Sequence, residues 1–264
     1  MTVILETHNL RKEFGGLVAV DDVSLQIERG AMHSIIGPNG AGKTTFFNLL
    51  SGKYKPTRGT VTFNGQDITD YPFHRRAHLG IGRSFQITNI FPNLTVLENV
   101  RLSVQALSNV SFRFFRNAAY YQDFTRRAWG VLEIVGLRDL AMYPASVLPH
   151  GGKRKLELAI LLAPDPEVLL LDEPTAGMAS EQVPELISTI DNIRQQSHKT
   201  IVMVEHNMSV VMGISERITV MNLGRLLAEG TPKEIAANTT VQSVYLGELY
   251  SDLDEAAETA DKGV

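Results

Sequence analysis

Gly37-Pro38-Asn39-Gly40-Ala41-Gly42-Lys43-Thr44-Thr45 decides how this chain is read. It fits G-x-x-x-x-G-K-[ST], a loop that cradles phosphate groups, and its surroundings fit as well. Met32 to Ile36, just before it, is an apolar run that predicts a buried strand, and Phe46 to Ser51, just after it, predicts a helix. The glycines let successive backbone N–H groups curl around a polyphosphate, and the helix N-terminus adds a positive end. Gly37, Asn39, Gly40, Ala41, Gly42, Lys43, Thr44 and Thr45 are therefore the candidate phosphate-binding residues. Lys43 is placed to reach the β- and γ-phosphates, and the Thr44 hydroxyl to bind Mg²⁺. Strand, loop and helix together imply a bound nucleoside triphosphate.

Composition narrows the setting. The chain has 264 residues, 44% of them hydrophobic, enough for one large domain or a domain with a subdomain. Its net charge of −4 gives no support to a general nucleic-acid binder. With no cysteine, disulfides and thiolate metal sites are excluded. No apolar run approaches the roughly 18 residues that span a bilayer. Met1 to Glu6 lacks the basic-then-apolar layout of a signal peptide. The expectation is a soluble, cytosolic chain that meets a membrane only through a partner.

Along the chain, residues 3–36 read as short strands broken at Gly15-Gly16 and at Glu28-Arg29-Gly30, and Thr60 to Asn64 as another strand. Thr95-Val96-Leu97-Glu98 predicts a capping box opening a helix towards Leu107. Phe112, Phe114, Phe115, Tyr120, Tyr121, Phe124 and Trp129 then follow closely, with Arg113, Arg116, Arg126 and Arg127 among them. This stretch reads as the apolar face of a helical arm, as a docking surface beside a membrane, or as a single-strand nucleic-acid surface. From Leu156 the α/β pattern returns. Val168 to Leu171 and Thr200 to Val204 read as buried strands, Ser180 to Arg194 as a helix, and Ile218–Met221 and Leu226–Ala228 as short strands. Alternating strands and helices imply a largely parallel sheet. Ser251 to Val264 is acidic and Ala-rich, the composition of a disordered tail.

Leu169-Leu170-Leu171-Asp172-Glu173 is a buried strand ending in two carboxylates. After a phosphate loop, this assigns Asp172 to Mg²⁺ and Glu173 to polarising the attacking water. With Pro174-Thr175 next in line, the chain resembles the ABC-type ATPases over about residues 3–250. The resemblance implies an α/β P-loop NTPase (RecA-like) core with a parallel sheet, an N-terminal antiparallel β subdomain and an inserted helical subdomain. It puts the ATPase domain at 1–250, with the core at about 1–88 and 155–250 and the helical subdomain at about 89–154. It makes the nucleotide ATP. It also implies that Gln86, in Arg83-Ser84-Phe85-Gln86, touches Mg²⁺ and the attacking water; that His206 bonds the γ-phosphate; and that Phe14 stacks on adenine.

Two stretches depart from the family pattern. The signature loop, usually Leu-Ser-Gly-Gly-Gln, is here Leu148-Pro149-His150-Gly151-Gly152. In the family the signature serine of one subunit contacts the γ-phosphate held by the other, and proline offers neither hydroxyl nor backbone N–H. Proline does suit a helix start, so the N–H groups of Gly151 and Gly152 and the charge of Lys153 remain available to phosphate. The stretch after the strand carboxylates, usually Ser-Ala-Leu-Asp, is here Ala176-Gly177-Met178-Ala179, without the acid. Both departures fall in parts that serve a partner's site, which leaves two readings: a heterodimer with a second ATPase subunit whose own signature is intact, or sequence drift without functional cost.

Lys12 to Leu17, Phe46 to Gly52, Arg83 to Gln86, the long arm at 101–128 and Val244-Tyr245-Leu246-Gly247-Glu248 are similar to the importer branch for branched-chain amino acids and related polar solutes. The arm separates this branch from the lipopolysaccharide-export ATPases, which share the Tyr-Leu-Gly-Glu ending. A single cassette without a long coiled coil separates it from soluble ABC proteins. The branch implies two membrane permeases, an external solute-binding protein and a peripheral place at the cytoplasmic face of the membrane, the helical arm signalling to the permeases through a groove near Gln86. The ATPase never touches the solute, so its sequence does not name it.

Overall fold

The computed structural model describes residues 2–84, 90–106 and 118–245, with the side chains of 118–121 excepted. In chain order the elements are β1 (Val3–Phe14), β2 (Leu17–Glu28), β3 (Met32–Ile36), α1 (Lys43–Leu50), β4 (Arg58–Phe63), β5 (Gln66–Asp67), α2 (Phe73–Leu79), β6 (Ile81–Arg83), α3 (Val96–Ala106), α4 (Ala118–Ile134), α5 (His150–Leu162), β7 (Val168–Asp172), α6 (Val183–Ser197), β8 (Thr200–Val204), α7 (Met208–Ile214), β9 (Arg217–Asn222), β10 (Arg225–Gly230) and α8 (Pro232–Ala237).

Among the described residues the strands form two sheets. A four-stranded antiparallel sheet runs β2-β1-β4-β5, and a six-stranded sheet runs β10-β9-β3-β8-β7-β6. From β6 to β9 every neighbouring pair is parallel, and β10 closes the edge antiparallel. The strands at the sheet centre, β3, β7 and β8, are buried end to end because both faces are covered. Side-chain alternation divides them: Val168 and Leu170 join one core with Phe46, Phe47 and the antiparallel sheet, while Leu169 and Leu171 join another with α3 to α6.

The N-terminal strands break where the sequence places the breaks, at Gly15-Gly16 and at Glu28-Arg29-Gly30, but they are longer than expected: β1 and β2 are 12 residues each and form one hairpin, paired from Val3 opposite Glu28 to Phe14 opposite Leu17. Bulges interrupt its alternation, and with it the sequence pattern. At two successive ones Asn9 and Asp22 take positive φ (45° and 58°), and the Asn9 side-chain amide donates to Asp22 Oδ1 at 2.6 Å.

Two helix starts also shift. α1 begins at Lys43, straight after the left-handed Gly42. α6 begins at Val183 rather than Ser180, with Pro184 in a first turn that needs no N–H from it. The capping box at Thr95 is half built. Thr95 Oγ1 accepts from Glu98 N at 3.1 Å, but the Glu98 carboxylate is taken by Arg101. A complete capping box, not foreseen, opens α8 between Thr231 and Glu234.

Of the aromatic arm, Phe124 lies buried in the core with Ala128 and Leu132, spaced four apart on one face of α4. Trp129 packs against the same core, and the Arg138 guanidinium sits 5.5 Å from its ring. Those two are ordinary helix-face residues. Phe112, Phe114, Phe115, the side chains of Tyr120 and Tyr121, Gln86 and the tail 251–264 lie outside the described residues.

On β3, His33 is buried, and its Nε2 meets Thr219 Oγ1 at 2.7 Å. Burial, and next the nearby charge of Arg217, push its pKa down to about 4 from 6.5. As pH falls from 6.5 towards 4, the unfolded chain takes a proton that the folded chain refuses, so stability falls with pH. The expected loss over that window is roughly 3 kcal/mol. Urea melts at pH 7 and pH 4.5 check it, and His33→Gln should flatten the slope.

Candidate nucleotide site

The sheet order sets the carboxyl ends of β3, β8 and β7 side by side, and the candidate residues follow directly from those ends. The phosphate loop leaves β3 at Gly37. Gly37, Gly40 and Gly42 have φ of 150°, 76° and 94°. The loop is also wedged from outside: a Cβ on Gly37 would lie 2.1 Å from Met221 O, and one on Gly42 2.4 Å from Ala19 O. The turn between β9 and β10 clasps it, Gly224 N donating to Ala41 O at 3.0 Å. Lys43 folds back over the loop and donates to Gly37 O at 2.6 Å and Pro38 O at 2.8 Å. Thr44 is exposed at the mouth of the loop.

Asp172 ends β7 and is buried. Its Oδ2 accepts from Arg83 Nη2 at 3.1 Å, while Oδ1 has no partner. Burial raises its pKa, and the Arg83 charge opposes that rise. A buried carboxylate oxygen without a donor fits a cation. Among the described residues no group of three or more His, Asp or Glu could hold a metal by itself. That suits Mg²⁺, which is commonly held by one carboxylate together with substrate phosphates and water.

Glu173, next along, takes a left-handed φ of 49°. Its Oε1 is 2.8 Å from His206 Nε2. An ionised carboxylate only accepts, so Nε2 carries the proton of this bond. Both side chains are partly exposed, and both line a groove of about 570 Å³ between α6 and α7.

The buried Glu205, after β8, escaped the sequence reading. Its Oε1 accepts from Thr175 N and Thr175 Oγ1 (2.9 and 2.6 Å), and its Oε2 from His206 N at 3.1 Å. It ties the loop after β7 to the loop carrying His206. A carboxylate directly after an all-apolar strand was the available signal.

Phe14, 42% exposed at the end of β1, lies outside the core clusters. Tyr54 braces its ring edge-on, with centroids 5.4 Å apart, and Lys12 Nζ sits 5.1 Å from its centroid.

Pro149 is the residue before α5, extended at φ −63° and ψ 168°, and no side chain caps that helix. The first intrahelical bond runs from Lys153 N to Pro149 O at 2.9 Å. The proline therefore leaves α5 and its first-turn N–H groups, at His150, Gly151 and Gly152, in place. Arg154 links this helix to the other divergent loop, donating to Ala176 O at 3.2 Å. Met178 of that loop reaches Gly151, its Cε 4.0 Å from where a Cβ would stand.

Comparison with known proteins agrees with this arrangement. The family model for the ABC transporter matches residues 20–176, and that for the branched-chain amino acid ATP-binding cassette transporter matches residues 225–250. The high-affinity branched-chain amino acid transport ATP-binding protein LivG of Salmonella typhimurium is 41% identical over 250 residues, covering 93% of this chain and 98% of its own. The ADP conformation of MJ1267, an ATP-binding cassette of an ABC transporter, superposes with a TM-score of 0.80 at 27% identity, covering 94% of this chain and all of that one. A dimeric, post-hydrolysis cassette, MJ0796 bound to ADP and Pi, matches with a TM-score of 0.71 at 27% identity, over 87% of this chain and 99% of its own. On its two-sheet core, its phosphate loop and these matches, the chain belongs to the ATP-binding subunits of ABC transporters, close to the LivG branch.

Proposed function

We propose that the chain hydrolyses ATP at the ends of β3, β7 and β8 and couples it to uptake of branched-chain or other hydrophobic amino acids, or a related small polar solute. The observation that carries the ATPase reading is the meeting of three things: a glycine-shaped phosphate loop, Asp172 with its unpartnered oxygen, and the Glu173–His206 pair. The names of the relatives support the solute class.

Phe14 offers an exposed ring to adenine. The backbone N–H groups of Gly37 to Thr45 wrap the phosphates, and Lys43 trades its two loop carbonyls for phosphate oxygens. Thr44, Asp172 and Gln86 would hold Mg²⁺, which would supply positive charge against the phosphate oxygens. Glu173 accepts the bond of the attacking water, whose oxygen joins the γ-phosphorus as the bond to the β-phosphate oxygen breaks. His206, released from Glu173, donates to the γ-phosphate. ADP and phosphate leave.

The solved cassette dimer supports a second ATPase across the site. The signature stretch Pro149, His150, Gly151 and Gly152 then faces that subunit's ATP, with backbone N–H groups from His150, Gly151 and Gly152 and none from Pro149. With Pro149 and Ala179 serving it, the opposite site is the weaker of the two.

Among the described residues no helix is long and apolar enough to cross a membrane, and the proposed assembly crosses it through two permease subunits. An apolar groove of about 340 Å³, walled by Phe73, Ala77, Ala106, Ile160, Leu161 and Pro166, suits a helix end of a permease. A charge there, Ile160→Glu, should abolish copurification with the permease pair and leave ATP binding by the free subunit unchanged. The reading as a whole is tested in proteoliposomes holding both permeases and both ATPases. ATP-driven uptake of labelled leucine, or of another solute taken up by the binding protein, is expected. Copurification with ribosomes and no permease would overturn it.

A further inference from the structure

Arg83 and Ser84 are the last described residues before Gln86, and neither had a role in the sequence reading. Arg83 ends β6 with a guanidinium that is 8% exposed. Its Nη1 donates to Asn48 Oδ1 at 2.6 Å and Ser51 Oγ at 2.7 Å, both in or just after α1. Its Nη2 donates to Asp172 Oδ2 at 3.1 Å. The Ser84 hydroxyl accepts from the Asp172 backbone N–H at 2.9 Å, and Ser84 N donates to Leu170 O at 2.9 Å.

Two adjacent residues thus hold one carboxylate at both ends. Ser84 holds its main chain. Arg83 engages one oxygen and leaves the other, Oδ1, without a donor. A guanidinium is a rigid fork, so fixing Nη1 on α1 also fixes the direction of Nη2. The phosphate-loop helix and the strand carboxylate are thereby set relative to each other through a single side chain. A purely structural counter-ion would not need this fork.

We propose that Arg83 and Ser84 are positioning residues for the metal ion of ATP hydrolysis, aiming Asp172 Oδ1 at it. The proposal rests on the reading of Asp172 as the metal-holding carboxylate. Groups that orient a metal ligand typically set affinity by about 10–100-fold.

The test uses the full chain loaded with ADP and titrated with Mn²⁺, free Mn²⁺ being read by electron paramagnetic resonance. Arg83→Gln should weaken Mn²⁺ binding by about tenfold or more, with ADP affinity in EDTA unchanged. Arg83→Lys, which keeps the charge and loses the fork, should recover part of the loss. Wild-type Mn²⁺ affinity in Arg83→Gln overturns the proposal, as do equal losses with and without metal, which mark a role in α1 alone. Asp172→Asn is the control: should it bind Mn²⁺ normally, the metal reading of Asp172 fails first and the positioning role falls with it. Should Arg83→Gln not fold, as judged by its melting curve, Ser84→Ala decides. A selective loss of Mn²⁺ affinity supports the proposal, and an unchanged affinity overturns it.

Discussion

Glu173→Gln is expected to lower ATP hydrolysis by about 10²–10⁴-fold while ATP still binds. The substitution keeps shape and the left-handed backbone, but an amide cannot accept the proton of water. It also weakens the 2.8 Å bond to His206, freeing the histidine for phosphate, so ATP affinity should hold or rise. Hydrolysis measured by phosphate release, set beside equilibrium binding of a fluorescent ATP analogue, separates the two. In an assembly with a second ATPase the comparison goes further. Under the proposal that the site completed by Pro149 and Ala179 is the weaker, Glu173→Gln should remove more transport than the matching change in the partner. Equal losses from the two would sink the asymmetric reading.

Gly42→Ala should abolish measurable ATP binding and destabilise the fold by about 2–4 kcal/mol. The new Cβ would stand 2.4 Å from the Ala19 carbonyl oxygen at a φ of 94°. Neither the loop nor β2 can give way, since Gly224 clasps both: it donates to Ala41 O, and its own carbonyl accepts from Asp21 N. Gly40→Ala is the comparison. Gly40 also has positive φ, but nothing lies within 4 Å of an added Cβ. Its cost should be the backbone preference alone, about 1–2 kcal/mol. Thermal melts and nucleotide titrations of the two variants therefore distinguish steric wedging from conformational preference.

The buried strands at 32–36, 168–172 and 200–204 were legible because each is a short apolar run bounded by turn residues and covered on both faces. The phosphate loop was legible because its glycines and lysine, at 37, 40, 42 and 43, stand at a fixed spacing within one short stretch. Contacts across the chain were not. Arg83 and Asp172 are far apart in sequence, and nothing beside Arg83 shows that its strand lies next to β7. Glu205 carried no motif of its own, although its carboxylate holds the Thr175 loop. The breaks in the N-terminal strands were legible from Gly15-Gly16 and Glu28-Arg29-Gly30, but the full strand length and the pairing register were not, because bulges near Asn9 and Asp22 shift the alternation partway along each strand. Pro149 was read correctly as compatible with a helix start, but its place as the extended residue before α5 depends on the turn that precedes it.

Lys43 resting on the Gly37 and Pro38 carbonyls has a consequence for discrimination among anions. The two carbonyl oxygens solvate the lysine charge, so the loop holds its own cation like a spring latch closed on itself. A small anion that offers a single contact gains little by opening it, because two charge-assisted bonds are given up for one. A triphosphate offers several oxygens along the whole loop and recovers more than the latch releases. The loop's selectivity between inorganic phosphate and nucleotide is thus set by what the lysine must leave behind.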